Sequence, residues 1–135
     1  MATTNLTAET FAESVGRDGI TLVDWWASWC GPCKTSFPVL AELHTTYAAK
    51  GLVILAVSVD EKADEMQRFL KKLPAPFPVV RDAEQKLVAA VAVQTMPTSF
   101  ILDRDGKVRA VHSGFHGDKT RKEYVAEIGK LLNAK

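Results

Sequence analysis

Apolar positions along the chain change period several times, and each change marks an element. Ile20–Ala27 (ITLVDWWA) is a run of strand formers broken by one acid, Asp24. Phe37, Leu40, Leu43 and Tyr47 then recur at helical spacing, with Pro38 as an expected kink and Gly51, after Lys50, as the stop. Leu52–Asp60 (LVILAVSVD) is almost continuously apolar, which predicts a central strand covered on both faces. Asp60 is expected to cap a helix with Glu61, Asp64 and Glu65 early and Arg68, Lys71 and Lys72 late, a charge order that suits the macrodipole. Met66, Phe69, Leu70 and Leu73 form its buried stripe. Leu73–Val80 is too rich in proline for helix and reads as a loop entering a short strand, and Ala83–Val91 reads as a short helix. Thr98–Asp103 and Lys107–His112, around a turn at Asp105-Gly106, predict a β-hairpin. Tyr124, Val125, Ile128, Leu131 and Leu132 predict a closing amphipathic helix. Near the start, Thr7 is expected to cap a short helix, with Leu6 and Phe11 as a hydrophobic staple.

The order is βαβαβα followed by ββα. Early alternation implies parallel strands under helices, and the hairpin adds antiparallel pairing. The expected fold class is α/β, a mixed central β-sheet flanked by helices on both faces. A length of 135 residues suits a single domain over 1–135. With 47% hydrophobic and 24% charged residues the profile is that of an ordinary globular protein. A net charge of +1 gives no electrostatic case for nucleic acid or an anionic membrane. The densest basic run, Arg68–Lys72 (RFLKK), reads as the solvated end of a helix rather than a binding patch. No stretch approaches the ~20 apolar residues of a membrane span. The opening residues lack the basic and apolar regions of a secretory signal. The expected compartment is cytoplasmic if the chain is full length, and periplasmic or otherwise extracytoplasmic if an export segment has been removed. A monomer is expected, because no apolar helix stripe is left over.

Both cysteines lie in Trp29-Cys30-Gly31-Pro32-Cys33, directly after a predicted strand and at the start of a predicted helix. Cys30 would sit at the helix N-terminus, where free N–H groups and the dipole stabilise a thiolate. Pro32 suits the first helical turn and stiffens the ring that a Cys30–Cys33 disulfide would close. Cys33, one turn in, would be more buried and act second. Attack by Cys30 on a substrate disulfide makes a mixed disulfide, which Cys33 resolves. A zinc site would need about four ligands, and His44, His112 and His116 have no spacing that pairs with the cysteines. No metal is expected, and no cofactor beyond the redox-active Cys30–Cys33 pair. A non-enzymatic alternative is a module that holds a partner, or a soft metal such as Cu(I), through two thiolates.

The segment VDWWASWCGPCK resembles the active-site signature of the thioredoxin-like family. The match continues through Pro38, MPTSFIL, DGKV and Gly114, and so covers essentially the whole chain. The long segment Glu61–Val93 and MPTSFILDRDGKV resemble the TlpA/ResA-like branch. The resemblance implies a thioredoxin fold, a cis Met96–Pro97 bond, and a residue before that proline that offers backbone hydrogen bonds to an extended substrate. It also implies a docking patch made by Trp29, Gly31, Pro32, Met96, Pro97 and Gly114. One or both of Trp25 and Trp26 are expected in the core and Trp29 at the surface. The implied activity is reduction of protein disulfides. The implied partners are client proteins with disulfides and a reductase that recycles the enzyme. A peroxidase is the weaker enzymatic reading, since peroxidases of related sequence usually place a single reactive cysteine. Cytochrome-dedicated members of the branch usually carry Glu just after the proline, where this chain has Thr98 and Ser99.

Asp24 is the remaining anomaly. A carboxylate in a buried strand is disfavoured when ionised, so its pKa should rise. In the family a buried Asp at this position exchanges a proton with the resolving thiol, which assigns that catalytic role to Asp24 by resemblance. The family usually supplies a lysine from the next strand. Alignment of VSVD puts Ala56 there, so Asp24 should be harder still to ionise.

Overall fold

The structure, a computed structural model, describes residues 4–5 and 19–133. The expected helix after Thr7, with its Leu6–Phe11 staple, lies outside the described residues. The strands are β1 Thr4–Asn5, β2 Ile20–Trp26, β3 Leu52–Ser58, β4 Val79–Arg81, β5 Thr98–Leu102 and β6 Val108–Ser113. The helices are α1 Gly31–Tyr47, α2 Ala63–Lys72, α3 Lys86–Ala90 and α4 Asp118–Asn133. A 3₁₀ turn, Ala48–Lys50, follows α1 and ends at Gly51, whose φ of 112° is the left-handed stop expected there.

The strands form one mixed sheet in the order β1-β4-β3-β2-β5-β6. β1, β4, β3 and β2 run parallel, while β5 is antiparallel to β2, and β6 to β5. β2 is thus paired on both edges, by Ile20↔Leu52 through Trp26↔Ser58 and by Thr21↔Leu102 through Trp25↔Thr98. Every residue of β2 is buried, as is β3 apart from Val53.

Alternation along the strands divides the core in two. On one face Leu22, Trp26, Ile54, Ala56, Val79 and Ile101 pack with Cys33, Phe37, Met66, Phe69, Tyr124 and Ile128, the inner sides of α1, α2 and α4. On the other face Val23, Trp25, Leu55, Val57, Val80 and Leu102 pack with Leu87 and Val88 of α3. Helices therefore cover both faces, as expected.

An aromatic cluster locks α1 and α2 onto the first face. Trp26 lies 4.7 Å from Phe37 and 4.6 Å from Phe69, and Phe37 lies 5.0 Å from Phe69. Such pairs add ~0.5–1.5 kcal/mol each beyond their burial. Phe37 is one turn beyond Cys33, so the cluster also fixes the first turn of α1.

Two expectations are corrected. Asp60 does not cap α2: the cap position is Lys62, without a side-chain bond, because residues between Asp60 and α2 stay non-helical and the Asp60 carboxylate is engaged elsewhere. The helix expected over Ala83–Val91 is only Lys86–Ala90. Gln85 has φ 56°, and its N–H donates to the Asp82 carbonyl (3.0 Å), so a turn precedes the helix. β1 adds an edge strand that the sequence pattern did not reveal.

Candidate active site

β2 ends at Trp26, and four residues, Ala27–Cys30, carry the chain to α1. Cys30 N–H donates to the Ala27 carbonyl (3.2 Å), and Cys30 takes extended dihedrals (φ −86°, ψ 115°) as the N-cap of α1. Its Sγ accepts the Cys33 N–H at 3.2 Å. The cysteine sulfur occupies the place of a capping oxygen, against a helix end whose first turn holds no acid. Pro32 sits in that turn, where its missing N–H leaves nothing unpaired. Cys30 and Cys33 are joined as a disulfide with Cα atoms 5.3 Å apart. Cys33 is fully buried and Cys30 is 4% exposed.

Around the pair, Trp29 is 68% exposed while Trp25 and Trp26 are wholly buried. Gly31 and Pro32 are exposed beside Trp29. The Met96–Pro97 bond is cis. Because Thr98 pairs with Trp25 and with Ser113, Pro97 and Gly114 lie at the same sheet end as the redox loop. Gly114 (φ 82°) donates its N–H to the Pro97 carbonyl at 2.7 Å. A side chain at Gly114 would suffer from that dihedral and press on the His116 ring. Met96 is half-buried and Pro97 buried, so the exposed part of the expected patch is Trp29, Gly31 and Pro32.

Asp24 is 1% exposed, on the same sheet face as Leu22, Trp26 and Cys33. Its strand partners are Ala56 and Ser99, so no lysine stands opposite it. Oδ2 has no hydrogen-bond partner among the described residues. Burial pushes the Asp24 pKa up to about 7. Ser99 is hydrogen-bonded to the Tyr124 hydroxyl (2.7 Å), and burial first, then the Asp24 charge, raises the Tyr124 phenol pKa. His112, on β6, bonds Glu127 (2.6 Å), lies 3.3 Å from Glu123 and meets the Tyr124 ring edge-on.

Sequence reasoning missed the role of Asp60. Its carboxylate, 1% exposed, accepts the Ser28 N–H (3.1 Å to each oxygen), the Ser28 hydroxyl (2.6 Å) and the Ser58 hydroxyl (2.6 Å). It ties the redox loop to the end of β3. The available signal was an acid closing an apolar strand at the sheet end that holds the cysteines. Among the described residues, no group of three or more His, Cys, Asp or Glu side chains is arranged for a metal. No helix of the described residues is long and apolar enough to cross a membrane.

The family described as AhpC/TSA matches residues 2–111. A relative from Bacillus cereus named thiol-disulfide oxidoreductase ResA is 37% identical over 109 residues, 81% of this chain and 61% of its own length. Its counterpart from Bacillus subtilis is 32% identical over 103 residues, 76% of this chain and 58% of its own. The chain thus spans about three-fifths of the curated relatives it matches. A Chlorobium tepidum structure put forward as a thiol:disulfide interchange protein DsbE superposes with a TM-score of 0.85. It is 36% identical, over 91% of this chain and 85% of the other.

Proposed function

The chain belongs to the AhpC/TSA family and has the thioredoxin fold, and from that premise we propose that it is a thiol–disulfide oxidoreductase that reduces disulfides of client proteins. The observation that carries the proposal is the Cys30 sulfur at the N-cap of α1, accepting the Cys33 N–H with Cys33 buried behind it. A thiolate there is stabilised by the helix end, which activates it as a nucleophile near neutral pH.

In the proposed cycle the Cys30 thiolate attacks one sulfur of a client disulfide. The client S–S bond breaks, a Cys30–client disulfide forms, and the departing client thiolate takes a proton. Cys33 then gives its proton to ionised Asp24 and attacks the Cys30 sulfur. The second client sulfur leaves as a thiolate that takes a proton, the Cys30–Cys33 disulfide closes and Asp24 later releases the proton it accepted, so two electrons have passed to the client. A pKa of about 7 for Asp24 suits a group that must both take and return a proton near neutrality. Trp29, Gly31 and Pro32 form the exposed part of the docking surface for the extended client segment, bordered by Met96, Gly114 and the buried Pro97. The protein acts as a monomeric single domain, over 1–135, and needs a separate reductase to reopen the disulfide.

Reduction of insulin disulfides by the wild type and by Cys30→Ser tests the reading. Turnover well above the Cys30→Ser control is expected. No turnover, with tight Cu(I) binding instead, would replace the enzyme by a two-thiolate metal-holding module.

A further inference from the structure

The sequence pattern assigns Arg68, Lys71 and Lys72 to a solvated helix end, but the fold brings a cation from another helix beside two of them. A hollow of about 320 Å³ lies between α1 and α2, lined by Ser28, Lys34, Glu65, Arg68, Phe69 and Lys72. We propose that this hollow is a second client-binding subsite, which takes an acidic polypeptide segment flanking the client disulfide. The proposal rests on the exchange reaction above and adds a client class to it.

Three cations and one carboxylate line it, with Asp64 beside Arg68 and the buried Asp60 carboxylate behind Ser28. Neither Lys34 nor Lys72 has a carboxylate within 4.0 Å among the described residues. Arg68 reaches Asp64 at 3.8 Å, but both side chains are more than 70% exposed, so that pair holds Arg68 weakly. Glu65 is half-buried and is the one acid of the lining. Phe69, 7% exposed, gives the hollow an apolar side.

Position supplies the link to chemistry. Ser28 is two residues before Cys30, Lys34 directly follows Cys33, and the exposed Trp29 lies between Ser28 and Cys30. One side of the hollow, Ser28 and Lys34, therefore belongs to the redox segment, where the Ser28–Asp60 hydrogen bonds hold the loop, and the other side is α2. A client strand whose cysteine meets Cys30 can cross Trp29 and set a neighbouring acid among Lys34, Arg68 and Lys72. A net charge of only +1 makes this a local attraction rather than a general affinity for polyanions.

Disulfide-bonded peptides that differ only in glutamate, glutamine or lysine flanks test the proposal, with single-turnover reduction by the reduced protein as readout. At low salt the glutamate peptide should react about tenfold faster than the glutamine one, as steering of this kind allows. The ratio should approach one in 1 M salt, where the Debye length is ~3 Å. Arg68→Glu with Lys72→Glu should bring the low-salt ratio to one or below. The milder pair Lys34→Gln with Lys72→Gln should at least halve it without reversing charge at a helix end. Equal rates for all peptides at low salt, or an unchanged ratio in both variants, would overturn the proposal.

A second readout needs no exchange chemistry. The glutamate peptide with serine for cysteine, titrated into oxidised protein, should shift the amide resonances of Ser28, Lys34 and Glu65–Lys72. Equal shifts from the glutamine peptide, or stronger binding there by a short DNA duplex of the same charge, would overturn it. A protein inert even toward hydroxyethyl disulfide would sink the exchange reading, and this titration would still decide the subsite.

Discussion

Replacing Asp24 by asparagine isolates the free energy stored in one buried carboxyl. Folding moves the Asp24 pKa from 3.8 to about 7, through loss of hydration at a site with no cation opposite. The folded state therefore holds a proton that the unfolded chain has released over this interval. Stability must fall as pH rises through that window, and level off above about pH 7. At ~1.4 kcal/mol per pKa unit, the interval is worth about 4 kcal/mol. Asparagine has no such dependence. Below pH 4 Asp24→Asn should match the wild type, or be weaker by about 1–2 kcal/mol if its amide finds no better partner than Oδ2 has. Near pH 8 it should be the more stable of the two. Urea unfolding of both oxidised proteins from pH 4 to 8 gives the difference directly, because the other titrating groups cancel. A difference that shifts by about 4 kcal/mol toward the variant supports the account. A difference flat within about 0.5 kcal/mol would mean that Asp24 ionises as an ordinary carboxyl, and would refute the burial argument.

Asp24→Asn should also slow the decay of the mixed disulfide more than its formation in rapid-mixing experiments, since only Cys33 needs the buried base; equal slowing of both steps would leave Asp24 structural. Asp60→Ala should destabilise the fold by about 2 kcal/mol or more in thermal or urea melts, because it orphans the donors of Ser28 and Ser58. Asp60→Asn, which keeps one acceptor oxygen, should recover part of that loss. In the reduced protein, iodoacetamide should label Cys30 with a pH midpoint clearly below the ~8.5 of a free thiol, while Cys33 stays unlabelled until the fold opens. A Cys30 midpoint near 8.5 would remove the helix-end effect.

The parts of the fold carried by periodicity were legible in the sequence. The apolar run of β3, the helical spacing in α1 and α4 and the Asp105-Gly106 hairpin all recur in the structure. The resemblance put Ala56 where the family usually has its lysine, and the register does set Ala56 beside Asp24. What was illegible depends on contacts distant in sequence. Asp60 stands where a cap would stand, yet Ser28, 32 residues earlier, claims it. A local pattern cannot show that competition. The early part of α3 was lost to a left-handed Gln85, a residue type that gives no warning of positive φ. The partners of His112, Glu123 and Glu127, come from α4 and are distant in sequence. Lys34 and Lys72 likewise became neighbours only through the packing of α1 on α2.

The order of the two thiols is the central claim, and trapping tests it most directly. Reduced Cys33→Ser and Cys30→Ser proteins, each mixed with an oxidised client protein and analysed by non-reducing mass spectrometry, should differ sharply. Cys33→Ser should accumulate a one-to-one mixed disulfide through Cys30, and Cys30→Ser should form none. A mixed disulfide through Cys33 in the Cys30→Ser protein, at a comparable rate, would contradict the account.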